Sequence, residues 1–206
     1  MKGRITALIA TSLAIPASFI NAPYPNELLL QHVPTVVGIV MLAVAIGKFC
    51  PSRLSFVCCV AFLWLHIIGA RWIYSFVPYD EIAVAITGRS LAEAFGWQRN
   101  HYDRLVHFAS GVLGVPPIAE FLRTRCQVLP VASAVLAIAC VLAIGALYEV
   151  LEWQIAVTLS PEMAESYNGQ QGDVWDPQKD LALAWIGATA TACWIGWSTR
   201  RTQAQA

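Results

Sequence analysis

Six long apolar stretches alternate with short polar segments along this chain of 206 residues. Each stretch approaches the roughly 17–25 residues that an α-helix needs to cross about 30 Å of hydrocarbon. The pattern predicts an all-α, polytopic membrane bundle with about six transmembrane helices, forming one domain over residues 1–206. The predicted helices lie near residues 5–20, 33–49, 54–77, 105–122, 129–148 and 181–197.

The composition supports a membrane protein rather than a soluble one with a large core. Charged residues make up 13% of the chain and hydrophobic residues 57%, whereas soluble domains carry about 25% charged residues. The formal net charge is zero. Because the chain also has no basic run, we expect no nucleic-acid partner, and membrane lipids are the expected surroundings.

The first apolar stretch admits two interpretations. Lys2 and Arg4 followed by apolar residues also describe a secretory signal peptide. The plausible cleavage point near residues 21–22 is closely followed by Pro23 and Pro25. We therefore favour a retained helix.

The Lys and Arg residues of the short loops predict the orientation of the bundle. They cluster at every second end of the predicted helices, and segment 78–103, which contains Arg89 and Arg99, is the imperfect loop. The clusters that alternate in this way are Lys2 and Arg4, Lys48 and Arg53, Arg123 and Arg125, and Arg200 and Arg201. This alternation predicts a membrane protein with both termini in the cytoplasm.

Ionisable residues from four predicted helices reach a similar depth. At 1.5 Å per residue from the predicted cytoplasmic ends, His66, His107, Glu149 and Asp180 lie roughly 18–29 Å up, in the outer half of the bilayer. Such residues usually face the bundle interior or a wet cavity and pair with each other or with a ligand. The sequence therefore predicts a polar cluster on the outer side of the membrane.

Two pairs within single helices could contribute to this cluster. Asp103 and His107 are four residues apart, and Glu149 and Glu152 are three apart, so each pair shares a helix face. A His and a carboxylate could bind one metal or act as a base and its orienting partner. Two neighbouring carboxylates repel unless a cation or proton lies between them. Alternatively, Asp103 is the N-cap of its helix, and the glutamates reach water at the interface.

The segment "GDVWDPQKD", residues 172–180, precedes the last apolar stretch. Pro177 suits the first turn of a helix, which makes Asp176 the expected N-cap. Asp180 then lies one turn inside and faces the bundle, while Asp173 is either a ligand or part of the turn.

The segment "LHIIGARWIYS", residues 65–75, contributes His66 and Arg71. Arg71 could neutralise the acidic cluster or bind a phosphate or carboxylate with two hydrogen bonds. His66 is either a metal ligand or a hydrogen-bonded core histidine. The following segment, 80–98, has helical periodicity but is too polar to span, which indicates an interfacial connector or a lid.

The stretches "HIIGARWIYS", "NHYDRLVHF", "YEVLEW" and "GDVWDPQKDLALAWIGA" together resemble the YjdF-like family of bacterial inner-membrane proteins. The resemblance runs from about residue 20 to 198 and implies a multi-pass helical membrane protein without implying an activity. More weakly, Glu149, Asp180 and Gly187 are similar to the E…D…G pattern of VanZ-like membrane proteins. The Asn expected shortly before that glycine is absent here.

The first functional hypothesis is a metal-dependent hydrolase that acts on a lipid-linked or envelope substrate. Metal-bound water would attack the substrate, and Arg71 would stabilise an anionic group. The predicted catalytic residues are Glu149, Asp180, His107 and Arg71. The predicted metal ligands are His107, Glu149, Glu152, Asp173, Asp180, His66 and Asp103. Histidine with carboxylates suits Zn²⁺ or Mn²⁺, and carboxylates alone suit Mg²⁺ or Ca²⁺.

Two alternatives remain open. Intramembrane His, Glu and Asp residues also form proton relays or cation sites, so the protein could be a proton- or cation-coupled transporter. It could also be a non-catalytic membrane scaffold whose cluster is a structural polar core. The chain contains no GxSxG, HExxH or P-loop motif that would decide for an enzyme.

Overall fold

The architecture is known from a computed structural model, which describes residues 1–158 and 170–204. In these residues the regular elements are all α-helices. They are α1 (Lys2–Ser18), α2 (Pro25–Lys48), α3 (Arg53–Arg71), α4 (Tyr79–Thr87), α5 (Leu91–Phe95), α6 (Tyr102–Arg125), α7 (Pro130–Thr158) and α8 (Asp176–Ala204).

Five of these helices, α2, α3, α6, α7 and α8, are long and apolar enough to cross a membrane. Helix α1 has 17 residues, which is at the short end of the range for a spanning helix. The prediction of an all-α, multi-pass bundle with about six membrane helices is confirmed. That the bundle forms one domain stays a prediction.

Two helices extend beyond their apolar stretches. Helix α2 begins at Pro25 rather than near residue 33, because proline suits the first helical position and Glu27 lies in the first turn, where the helix dipole favours an acid. Helix α7 continues to Thr158, well past residue 148. The hydropathy pattern predicts only the part of a helix that lies in the hydrocarbon, whereas the hydrogen-bonded helix itself continues into polar residues.

Helix α3 ends at Arg71, earlier than the predicted boundary at residue 77. Ile73 and Tyr74 take positive φ angles of 42° and 56°, which turn the chain back. The Tyr74 ring then packs over Gly69, where a Cβ would lie 2.6 Å from the ring. The turn therefore needs a glycine at this point, and the tyrosine hydroxyl can reach the α3 side chain His66.

Helix α6 contacts α3, α7 and α8, while α1, α2 and α3 pack against one another. The α6–α7–α8 core consists mostly of small residues, which let helix backbones approach closely. Its buried members are Val115, Ala119, Ala134, Ala137, Val141, Ala184, Ala188 and Ala192. Gly111 and Gly187 lie where α6 crosses α8, and a Cβ on Gly111 would be 2.1 Å from the Ala184 carbonyl oxygen.

Helices α4 and α5 form the connector between α3 and α6. The Asp80 carboxylate accepts hydrogen bonds from the Ser90 hydroxyl at 2.7 Å and from the Leu91 amide at 2.6 Å, at the start of α5. The hydrogen bond from the Ser90 hydroxyl, together with those from the Ala92 and Leu91 amides, lowers the pKa of Asp80. Ile82 and Ile86 are exposed, which agrees with a segment that lies at the membrane interface.

Candidate metal centre

The first part of the candidate site is one face of α6. The helix begins at Tyr102 with His101 as its N-cap residue, so the interpretation of Asp103 as the N-cap is wrong. Asp103 instead lies in the first turn, one turn before His107. Its Oδ1 atom is 3.6 Å from His107 Nε2, and both side chains are largely buried.

Helix α7 adds a carboxylate to the same histidine. Glu149 Oε1 lies 3.6 Å from His107 Nε2, and the Tyr148 ring meets the His107 ring edge-on at 6.5 Å. Glu152, one turn further along α7, is within electrostatic range of the carboxylates of Asp103 and Glu149. The continuation of α7 as a helix past residue 148 is what places both glutamates on this face.

Helix α8 completes the group with Asp180, which is 2% exposed. Metal-ligating atoms of Asp103, His107 and Asp180 all lie within 4.8 Å of one another. Three of the seven predicted metal ligands therefore meet in the structure, and Glu149 approaches them through His107. These four residues come from three different helices. Glu152 adjoins them.

The geometry suits a metal ion after a small contraction. Two ligands about 2.0–2.2 Å from one metal are at most about 4.4 Å apart. The two contacts of 3.6 Å already satisfy this limit, whereas a separation of 4.8 Å would have to shorten by about half an ångström. Within the described part of the chain, Glu149 Oε1 and Asp180 Oδ1 are buried without a hydrogen-bond partner. Each of these oxygens could accept a cation, and each costs roughly 1–3 kcal/mol while it is unsatisfied.

A layer of ion pairs adjoins the cluster. Arg99 donates hydrogen bonds from both terminal nitrogens to Asp176, which also lies 3.3 Å from Arg104. Arg104 Nη2 is 2.5 Å from Asp173 Oδ2, and Lys179 Nζ is 2.6 Å from the same oxygen. These three cations compensate Asp173 and Asp176, and none of the described ion pairs made by arginine or lysine reaches Glu149, Glu152 or Asp180.

Two interpretations of segment 172–180 change accordingly. Helix α8 begins at Asp176 itself, and the carboxylate bonds to Arg99 and Arg104, so its assignment as the N-cap is wrong. Asp173 pairs with Lys179 and Arg104, and it lies outside the group of candidate metal ligands. The hydrogen bond from Lys179, followed by those from the Trp175 amide and Arg104, lowers the pKa of Asp173 to about 2.

His66 and Arg71 belong to a different polar group. His66 Nε2 is 2.9 Å from the Gln31 carbonyl oxygen, and its Nδ1 atom contacts the Tyr74 hydroxyl. Arg71 donates a hydrogen bond to the Ser18 carbonyl oxygen. The structure therefore places His66 as a hydrogen-bonded core histidine, and neither residue joins the carboxylates on α6, α7 and α8.

Several polar residues at the site are not singled out by the sequence pattern. The Tyr148 hydroxyl donates to Gln31 Oε1 at 3.3 Å, which connects the His107 cluster to the group around His66. His32, beside Gln31, lies 2.7 Å from the Ser18 hydroxyl. The adjacent polar pair Gln31–His32 inside an apolar stretch is a visible signal for this group. The pairing of Arg104 with Asp173 has no such signal, because the two residues are far apart in sequence.

Comparisons with known proteins agree with this architecture. The family model described as "Predicted membrane protein (DUF2238)" matches residues 4–201. Inner membrane protein YjdF of Escherichia coli (strain K12) is 26% identical over 191 residues, which cover 92% of this chain and 87% of that protein. No solved structure matches. The resemblance to YjdF-like proteins is thus confirmed, and the chain belongs to the DUF2238 family of membrane proteins.

Proposed function

We propose that this protein is a metal-dependent hydrolase of the bacterial inner membrane that acts on a lipid-linked or envelope substrate. The observation that carries the proposal is the meeting of Asp103, His107 and Asp180, whose ligating atoms lie within 4.8 Å of one another. Beside them, buried oxygens of Glu149 and Asp180 have no hydrogen-bond partner among the described residues. A divalent cation explains why these acids are kept together.

The ligand types favour Zn²⁺ or Mn²⁺. One imidazole with two or three carboxylates is a mixed nitrogen and oxygen set, which these ions accept readily. Mg²⁺ is the next candidate, because it binds through carboxylates and keeps several water ligands. Asp103, His107 and Asp180 are the proposed ligands, and Glu149 is the proposed fourth.

The reaction that follows is hydrolysis of an ester. A divalent metal makes a bound water acidic enough to supply hydroxide near neutral pH. The water oxygen forms a bond to the phosphorus or carbonyl carbon of the substrate, and the bond from that atom to the leaving oxygen breaks. Glu152, one turn further along α7 than the proposed ligand Glu149, would take the proton from the water and return it to the leaving oxygen. Arg71 has no role in this step, because its described hydrogen bonds are to backbone carbonyls elsewhere.

The position of the cluster suits a substrate that enters from the membrane. Asp103 lies in the first turn of α6, and Asp180 lies close to the beginning of α8, so both are at one end of the bundle. Trp153 and Trp175 are exposed on the neighbouring parts of the chain, as in an interfacial aromatic belt. A lipid-linked headgroup would lie at this depth, on the periplasmic side if the Lys and Arg pattern sets the orientation.

The first test is metal content, measured by elemental mass spectrometry on detergent-purified protein. We expect about one Zn or Mn per chain in the native protein and a loss of most of it in Glu149→Gln and Asp180→Asn. Glu81→Gln removes an exposed carboxylate on α4 and should leave the metal content unchanged. The variants should be compared by thermal unfolding, so that loss of metal is distinguished from loss of structure.

Activity is the second arm of the test. The metal-loaded protein should hydrolyse phosphate or carboxylic ester substrates presented in mixed micelles, and the two metal-site variants should lose that activity. A native protein that takes up no metal when offered Zn²⁺, Mn²⁺ and Mg²⁺ would contradict the proposal. So would variants that unfold without any change in metal binding, which would assign the cluster to a structural polar core.

One observation favours a second candidate, cation- or proton-coupled transport. The hydrogen bond between Tyr148 and Gln31 connects the carboxylate cluster to His66, so buried polar groups continue from α6 to α3. Proteoliposomes that contain a pH-sensitive dye would report such transport. Flux that is abolished by Tyr148→Phe, without ester hydrolysis in the native protein, would favour transport over the hydrolase.

A further inference from the structure

A groove lies between α1 and α3, and its lining residues are separate from the candidate metal ligands. It has a volume of about 480 Å³, which is within the roughly 300–1,000 Å³ of pockets that hold small molecules. Ala10, Ala14 and Ala17 share one face of α1 and line one wall, and Trp64 and Ile68 of α3 line the other. The groove stays open along α1 because the alanine side chains are too short to fill it.

One end of the groove carries an arginine that has no acidic partner among the described residues. Arg71 lines the groove together with Trp72, and its guanidinium carbon lies 5.0 Å from the Trp72 ring. It donates hydrogen bonds to the carbonyl oxygens of Ser18 and, over 3.5 Å, of Asn21. No ion pair joins Arg71 to a carboxylate among the described residues. A guanidinium has five N–H donors, so donors and a full positive charge remain for an anion.

We propose that this groove binds one anionic glycerophospholipid, with an acyl chain between α1 and α3 and the phosphate on Arg71. The apolar walls run for about 10 Å from Ala10 to Ala17, which gives an acyl chain a continuous contact. Arg71 is the last residue of α3, at the end of a membrane span where lipid headgroups lie. Guanidinium groups bind phosphate through two parallel hydrogen bonds.

The combination of these features selects the occupant. A zwitterionic lipid such as phosphatidylcholine would use the apolar walls, but its own cation competes with Arg71 for the phosphate. A phospholipid with a net negative headgroup satisfies the walls and the charge together. The site does not depend on the proposed hydrolase, because Arg71 and the α1 residues do not belong to the candidate metal centre.

The first experiment measures lipid binding by native mass spectrometry of the full chain, titrated with phosphatidylglycerol or phosphatidylcholine of identical acyl chains. We expect one adduct of phosphatidylglycerol that forms at about tenfold lower lipid concentration than the phosphatidylcholine adduct. Arg71→Gln should abolish this difference. Arg53→Gln removes an exposed arginine at the opposite end of α3 and should leave it unchanged. Ala14→Phe, which fills the groove, should weaken binding of both lipids.

A second measurement needs no change at Arg71. Phosphatidylglycerol with brominated acyl chains should quench the fluorescence of the native protein more strongly than brominated phosphatidylcholine. This extra quenching should be reduced in Trp64→Phe, which removes one of the two tryptophans that line the groove, and should disappear when Trp72→Phe is added. It should persist in Trp194→Phe, because Trp194 lines a different surface groove, between α3, α6 and α8.

The proposal is overturned by equal quenching from the two brominated lipids in the native protein. It is also overturned if folded Arg71→Gln keeps the full preference for phosphatidylglycerol. Either result would mean that lipids surround the groove as they surround any membrane helix, without recognition of the headgroup by Arg71.

Discussion

Asp173 and Asp180 belong to the same short segment, yet their surroundings give them opposite properties. Asp173 accepts hydrogen bonds from Lys179 and Arg104, which stabilise its charged form. Asp180 is buried beside other acids, and its Oδ1 atom lacks a hydrogen-bond donor among the described residues. Identical side chains are therefore an anchor for the loop before α8 in one case and a candidate metal ligand in the other.

The surroundings of Asp173 predict a titration at unusually low pH. The pKa of its carboxyl is lowered from an ordinary 3.8 to about 2, chiefly by the hydrogen bond from Lys179. Because the folded-state pKa is the lower one, the contribution to stability is complete above about pH 4 and is lost as the pH falls towards 2. Carboxyl ¹³C NMR in detergent should show this titration, assigned by its absence in Asp173→Asn. In Lys179→Met the midpoint should rise towards 3.8, and an unchanged midpoint would contradict the assignment of the cause.

Substitution of Asp176 is expected to have a large effect on the free energy of unfolding. It is 2% exposed and accepts hydrogen bonds from Arg99 and Arg104. Asp176→Asn keeps the shape but leaves two partly buried guanidinium groups short of a counter-charge, which should lower the free energy of unfolding by about 3–5 kcal/mol. Lys179→Met is the matched control, because its side chain is 48% exposed and such pairs contribute about 1 kcal/mol at most. Unfolding by denaturant in detergent micelles measures both, and similar losses would contradict the expectation.

At the scale of elements, the contact between α6 and α8 decides whether the site can form. Asp103 and His107 on α6 meet Asp180 on α8 only because the two backbones approach closely at Gly111 and Gly187. A Cβ on Gly187 would lie 2.3 Å from the Phe108 carbonyl oxygen, which is backbone and cannot rotate away. The small residues of this crossing thus position the candidate ligands without contacting a substrate.

Added methyl groups at this crossing should therefore separate the helices. Gly111→Ala and Gly187→Ala should each lower the free energy of unfolding by about 1–3 kcal/mol, the usual cost of overpacking, and reduce metal binding as well. Gly196→Ala is the control in the same helix α8, because a Cβ added there would have nothing within 4 Å. Thermal unfolding in detergent gives the comparison. If Gly196→Ala were as destabilising as the other two, the close approach at the crossing would not be the cause, because helix propensity by itself favours alanine over glycine.

At the scale of the whole molecule, the two ends of the bundle differ in chemistry. The candidate metal centre lies near the start of α6, and the opposite end carries Glu120, which accepts hydrogen bonds from the Ser52 amide at 2.7 Å and from the Ser52 hydroxyl at 2.6 Å. These contacts hold the start of α3 against α6. The Lys and Arg pattern predicts that the Glu120 end faces the cytoplasm and the metal centre faces the periplasm.

Cysteine labelling tests this orientation. Cys50 and Cys126 are exposed at the Glu120 end, and Thr87→Cys would place a thiol at the end of α4 on the other side. In single-cysteine variants, a membrane-impermeant maleimide should label Thr87→Cys in spheroplasts, but label Cys50 and Cys126 only after the membrane is disrupted. The opposite pattern would place the candidate metal centre in the cytoplasm and contradict the predicted localisation.

The membrane helices, and the residues that share a face within one helix, could be predicted from the sequence. Backbone groups must be satisfied by helical hydrogen bonds in hydrocarbon, so long apolar stretches can form little else. The spacing of Asp103 and His107 similarly sets a shared helix face, because one turn takes about 3.6 residues. Both features depend on residues close together along the chain, and both agree with the structure.

Which helices bring their polar faces together could not be predicted from the sequence. Arg71 and His107 occupy similar predicted depths, yet Arg71 turns towards α1 and His107 towards α7 and α8. The Arg104–Asp173 ion pair and the Tyr148–Gln31 hydrogen bond likewise join distant segments. Depth along a helix follows from residue number, but the rotation of that helix and its choice of neighbour follow from packing against all the others.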